Sequence, residues 1–157
     1  MAEDKPRRSY LIIEDEPATA ELLKLVLKQG GAQNVTIARS GTEGLELARA
    51  EPPDLVVSAV SLYDFSGYEV CKKMRADKKL RDIPVLLVAE VDVSKVEKEI
   101  KQLKIPVAGY LMLPFFPEEM IEMCHDALNG KYQWPDKRKR SDKKKKASSK
   151  AKDTKKS

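Results

Sequence analysis

Glu14-Asp15 is the pair in this sequence best suited to chemistry: two adjacent carboxylates directly after the apolar run Tyr10-Leu11-Ile12-Ile13. Two adjacent carboxylates concentrate negative charge, which suits a cation or a basic side chain. Other reactive types are sparse. His125 is the sole histidine, with only acids at helical spacing from it, so it is read as structural. Cys71 and Cys124 lie far apart in apolar-periodic segments, without metal-ligand spacing. No Ser/His/Asp grouping, Cys/His nucleophile pair or Gly-rich phosphate loop is present, and Gly41-x-x-Gly44 lacks the rest of a dinucleotide fingerprint. The chain is not expected to be an enzyme. No cofactor is expected.

The second chemical feature is charge. Among the 157 residues are 30 Lys/Arg and 25 Asp/Glu, unevenly placed. Residues Lys137 to Ser157 hold 12 of the bases and 2 of the acids, so this stretch carries +10 and the rest of the chain −5. It has no apolar residue larger than Ala and cannot bury enough surface to offset chain entropy, so a disordered tail is expected. Lys137, Arg138, Lys139, Arg140 and Lys143, Lys144, Lys145, Lys146 are its densest cations. A polyanion is the partner such a block suits: nucleic acid held by counterion release without base reading, or an acidic protein. Tyr132 and Trp134 stand at its root, where packing back onto the preceding helix is expected. The N-terminus has no apolar signal core. The longest uncharged run, Ile105 to Pro117, is too short to span a bilayer. A soluble, cytoplasmic protein without membrane insertion is expected.

The residues between arm and tail alternate two patterns. Short apolar runs at Tyr10–Ile13, Val35–Ala38, Leu55–Val60, Ile83–Val88 and Gly109–Leu113 read as strands. Each is followed by a segment of helical period: Leu22, Leu23, Val26 and Leu27; Leu45, Leu47 and Ala48; Val70, Cys71 and Met74; Val96, Ile100 and Leu103; Ile121, Cys124 and Leu128. Pro17 and Pro117 suit helix starts, while Gly30-Gly31 and Gly130 suit stops. Five βα units in a row, with continuously apolar central strands, predict an α/β fold: a five-stranded doubly wound parallel sheet. In such sheets ligands meet the carboxyl ends of the strands. Those ends are Glu14-Asp15, Ala59, Ala89 and Leu113.

The segments YLIIEDEP, PDLVVSAVSL, SGYEVCKKMRADKKLRDIPVLLVAE and AGYLMLPF, in this order, resemble the receiver domain of bacterial two-component response regulators. The resemblance covers about residues 8–130 and implies the (βα)5 flavodoxin-like fold. In that family an acidic pair holds Mg²⁺, an Asp ending the third strand takes a phosphoryl group, and a Ser/Thr and a Lys ending the fourth and fifth strands contact it. The acidic pair matches Glu14 and Asp15. The phosphoacceptor position is Ala59, the Ser/Thr position Ala89 and the Lys position Leu113, so three functional positions have turned apolar. This implies a pseudo-receiver not switched by aspartyl phosphorylation. Loss of Asp and Lys together keeps the formal pocket charge at that of Glu14 and Asp15 alone. The pair is expected to face solvent and stay ionised, binding a cation weakly or accepting an Arg from a partner. Asp54 stands at the wrong strand end for a substitute acceptor, Ser58 should point away, and Ser61 and Asp64 lie on the following loop.

Family members signal through the fourth helix, fifth strand and fifth helix. Tyr110 matches the aromatic that follows the Ser/Thr, and Met120 and Met123 read either as part of a wide core stripe, the commoner reason for such a pattern, or as widening an apolar output face for a protein partner or a second copy in a dimer. The domain plan is an N-terminal arm (1–8), a receiver-like domain (9–130), a linker (131–136) and a disordered tail (137–157). The functional expectation is a phosphorylation-independent interaction module in bacterial signalling. The rival readings are a nucleic-acid-binding protein acting mainly through its tail, and a response regulator still phosphorylated at an unexpected site.

Overall fold

The computed structural model describes residues 8–131, apart from 91 and 105. The expectations for arm, linker and tail, Lys137 to Lys146 included, fall outside the described residues except at Arg8 and Lys131.

The ten expected elements are present in order: β1 Ser9–Ile13, α1 Pro17–Gln29, β2 Asn34–Ala38, α2 Gly41–Ala50, β3 Leu55–Ala59, α3 Gly67–Arg75, β4 Val85–Ala89, α4 Val93–Leu103, β5 Gly109–Met112 and α5 Pro117–Leu128. The five strands form one parallel sheet in the order β2-β1-β3-β4-β5. β3 and β4 are buried along their whole length, which is why their sequences run apolar without alternation.

Short polar side chains start the helices. Ser40 Oγ accepts from Glu43 N–H at 3.0 Å to cap α2. Ser66 does the same for α3 and Asp92 for α4. Glu16 caps α1, accepting from Ala18 N–H at 3.2 Å, with Pro17 at the first helical position. Gly31, at φ +99°, and Gly130, at φ +77°, turn the chain out of α1 and α5.

Each face of the sheet has its own core. Leu11, Ile13, Val56 and Leu87 pack under α2, α3 and α4 through Leu45, Val70, Met74, Val96 and Ile100. Tyr10, Ile12, Val57 and Val88 pack under α1 and α5 through Leu23, Leu27, Met120 and Cys124. Two helix faces differ from expectation. In α1, Leu22 is 47% exposed although Leu23, Val26 and Leu27 are buried. In α5 the buried stripe is Met120, Met123, Cys124 and Ala127, while Ile121 and Leu128 are half-buried. Met120 and Met123 therefore belong to the core and offer no partner surface. The cause is the approach of α5 to α1: Ile121 stands against Gly30, where an added Cβ would meet it at 3.0 Å.

Candidate functional site

The carboxyl ends of β1, β3, β4 and β5 frame a cavity of about 410 Å³, lined by Glu14, Asp15, Ala59, Ser61, Glu90 and Leu113, with Tyr63 also on its wall. Parallel pairing sets this geometry. Glu14 N–H donates to the Ala38 carbonyl at 3.0 Å, Val60 N–H to Val88 at 2.9 Å and Leu113 N–H to Ala89 at 2.8 Å, so the strand ends finish level. Ala89 ends β4 but is not a wall of the cavity; it packs in the core under α4. The peptide bond Leu113-Pro114 is cis.

The acidic pair does not behave as two solvated charges. Glu14 is 6% exposed. Desolvation by this burial, with the neighbouring Asp15 carboxylate adding to it, pushes Glu14 up to about 7, against the pull of the Glu16 N–H that donates to it at 3.1 Å. The expectation of a solvent-facing, fully ionised pair is therefore corrected at Glu14, whose burial favours the protonated form well above the usual carboxylate range. The apolar neighbours explain it, since the Leu113 position offers no ammonium and Ala59 no polar atom. Glu16, third in the acidic run, serves as the α1 cap. Among the described residues no group of three or more His, Cys, Asp or Glu is placed to hold a metal ion. Glu14 and Asp15 supply two carboxylates for a cation, which is few for Mg²⁺.

The loop after β3 is tied down without any phosphate. Asp64 accepts from Gly41 N–H at 3.0 Å, Thr42 N–H at 2.8 Å, the Thr42 hydroxyl at 2.8 Å and Phe65 N–H at 2.9 Å. Desolvation opposes these bonds, yet they hold its carboxyl down at about 2. Asp64 thus fixes the loop to the N-terminus of α2, a role its sequence neighbours do not signal. Gly67 lets α3 begin against the sheet: a Cβ there would stand 2.2 Å from the Ala59 carbonyl oxygen. Ser58 is fully buried and its hydroxyl donates to the Ala59 carbonyl at 3.0 Å, away from the cavity. Asp54 sits at the start of β3, where it accepts from Ser9 N–H at 2.7 Å.

Tyr110 is buried on β5, and its hydroxyl donates to the Glu97 carboxylate of α4. Desolvation and this bond both raise the phenol's pKa. Glu97 is a partner that sequence spacing does not reveal. Cys71 and Cys124 are buried free thiols, pushed by desolvation up to about 11 and about 12, and so are unreactive.

A second hollow of about 420 Å³ adjoins the first, between α1 and the β5–α5 loop. Leu22, Val26, Pro114, Phe115 and Pro117 wall it, and it shares Leu113 and Glu90 with the acidic cavity. Leucine in place of lysine makes this wall apolar, so an apolar groove ends on carboxylates. Leu22, Leu25 at 57% and Phe116 at 73% exposure add apolar surface that the sequence pattern did not single out.

Comparison with known proteins gives the same picture from another side. Residues 10–125 match the family described as response regulator receiver domain. The polar-differentiation response regulator DivK of Brucella ovis is 35% identical over 95 residues, covering 60% of this chain and 76% of that protein. The DNA-binding dual master transcriptional regulator RpaA of Synechocystis sp. is 33% identical over 111 residues, covering 71% of this chain and 45% of that one. The chain spans about half the length of the first curated relatives it matches. Among solved structures, a sensor protein from Polaromonas sp. JS666 superposes with a TM-score of 0.74 at 27% identity, covering 80% of this chain and 99% of that one.

Proposed function

This chain belongs to the response regulator receiver domain family, and we propose that it is a member which signals by binding a protein partner without being phosphorylated. The observation that carries this reading is the cavity at the strand ends. Ala59 and Leu113 line it, and its buried acid Glu14 is pushed by desolvation up to about 7. Phosphoryl transfer to protein needs an oxygen nucleophile in line with the donor and positive charge on the transferred oxygens. The Ala59 side chain has no oxygen, Leu113 no charge and Ala89 no hydroxyl. Receiver domains are signalling modules, and the one hydroxyl-bearing aliphatic side chain lining the cavity among the described residues, Ser61, has no histidine, lysine or arginine beside it in the lining.

The partner surface follows from the joined groove. An amphipathic segment with apolar side chains between Leu22, Val26 and Phe115, and a Lys or Arg reaching Asp15, Glu90 and Glu14, matches its shape and charge. The face around Tyr110 fits less well, since Met120 and Met123 are buried. The cationic tail is proposed to hold a polyanion near that partner in the cytoplasm. A weak cation at Glu14 and Asp15 would compete with the partner's base.

Acetyl phosphate with Mg²⁺, followed by intact mass measurement, tests the reading. The expected spectrum is unchanged. A stable adduct of one phosphoryl group per chain would overturn it, and peptide mapping would show whether Ser61 or another residue took the group.

A further inference from the structure

At the opposite end of the sheet from the acidic cavity lies a third hollow of about 410 Å³, which no part of the proposed function uses. Arg8, Tyr10, Gly30, Gly31, His125 and Leu128 wall it, where β1 begins and α1 and α5 end. Tyr10 is only 5% exposed, and among the described residues no hydrogen bond reaches its hydroxyl. Desolvation raises its pKa, with Cys124 adding to the rise and Arg8 opposing it. A hydroxyl taken from water without a partner is costly, so the geometry asks for a donor or acceptor to arrive. Two amides, Gln33 and Asn129, also line the hollow; the other walls suit a flat aromatic group with one polar edge. Gly30 and Gly31 have no side chains, Leu128 is apolar, and the Arg8 guanidinium suits the face of a ring. His125 is held in place by the Gly30 carbonyl, 3.2 Å from its Nε2.

The chain itself carries such a group nearby. Described backbone ends at Lys131, whose N–H donates to the Asp126 carbonyl at 2.7 Å, just past Leu128 and Asn129 on the cavity wall. Trp134 follows three residues later and is the only tryptophan in the sequence. Three extended residues reach about 10 Å, enough to return to this wall. Indole is apolar on its faces and has one N–H that only donates. We propose that the Trp134 side chain docks in this hollow, its Nε1–H donating to the Tyr10 hydroxyl oxygen and its ring lying against Arg8. Docking would fix the first residue of the cationic stretch, Lys137, at the end of the sheet away from the acidic cavity. Tail and groove could then be occupied at once.

Fluorescence reads the proposal directly, because the full chain has a single tryptophan. The folded chain should emit at shorter wavelength than the chain in urea, with severalfold weaker acrylamide quenching. Leu128→Glu and Arg8→Ala should each shift the emission toward that of the unfolded chain while the far-ultraviolet circular dichroism stays folded. Tyr10→Phe, which keeps the ring and removes the acceptor, should shift it less. Equal emission and quenching in the folded and urea-unfolded chains would overturn the proposal. So would shielded emission that neither Leu128→Glu nor Arg8→Ala changes, which would put the indole elsewhere. Shielding that disappears on dilution would assign it to a second copy and would also overturn it.

Discussion

Replacing Glu14 by Gln should make the protein more stable, and only at neutral and alkaline pH. The Glu14 carboxyl titrates near 4.5 when the chain is unfolded and at about 7 when folded. Below pH 4.5 both states hold the proton and the side chain contributes no pH dependence. Between 4.5 and 7 the folded state keeps a proton that the unfolded state has released, so stability falls as pH rises. Above 7 the buried carboxylate is charged and its penalty is fully present. At about 1.4 kcal/mol per pKa unit the penalty reaches about 3 kcal/mol. Glutamine cannot ionise, and its amide oxygen can still accept from Glu16 N–H. The assay is urea denaturation of wild type and Glu14→Gln at several values between pH 4.5 and 8. The gap between them should widen by about 3 kcal/mol across that range. At roughly 3 °C per kcal/mol for a chain of this size, the Tm gap should grow by about 10 °C. A constant gap from pH 4.5 to 8 would refute the argument, because it would mean that Glu14 titrates alike in both states.

Gly67→Ala places a methyl against the Ala59 carbonyl oxygen, at 2.2 Å before relaxation. It should cost about 2 kcal/mol, in the range of overpacked interiors, and an unchanged urea midpoint would show that α3 can move away from the sheet. The tail is tested with duplex DNA and a chain ending at Asp136. If about six phosphates are engaged, affinity of the full chain should fall by roughly 10³ between about 50 and 200 mM salt, and truncation should abolish binding. Equal, weak binding by both chains would remove DNA as the polyanion.

The order of all ten elements could be read from the sequence because the two periodicities change cleanly at Gly, Pro and short polar caps. The strand ends followed from that order, and with them the positions of Ala59, Ala89 and Leu113. The face of α5 did not. Met120, Ile121, Met123, Cys124, Ala127 and Leu128 contain two overlapping apolar stripes one residue apart, and the choice between them depends on how Ile121 meets Gly30 in another helix. The state of Glu14 was also hidden. An acid after a strand reads as solvated until its burial is seen, and at Glu14 only 6% is exposed. The roles of Asp64 and Glu97 escaped notice because their partners, Gly41 and Thr42 in one case and Tyr110 in the other, lie 13 to 23 residues away. Local pattern carries no trace of such pairs.

Arg8, just before β1, and Asn129, just after α5, wall the same hollow. The first strand and the last helix of the described fold therefore begin and end at one corner. A short bridge between those points would close the backbone into a ring without disturbing the sheet, and new ends could be cut in an exposed loop elsewhere. The same corner lets the domain be spliced into a host protein as a compact insert, its ends emerging side by side and its groove facing the other way.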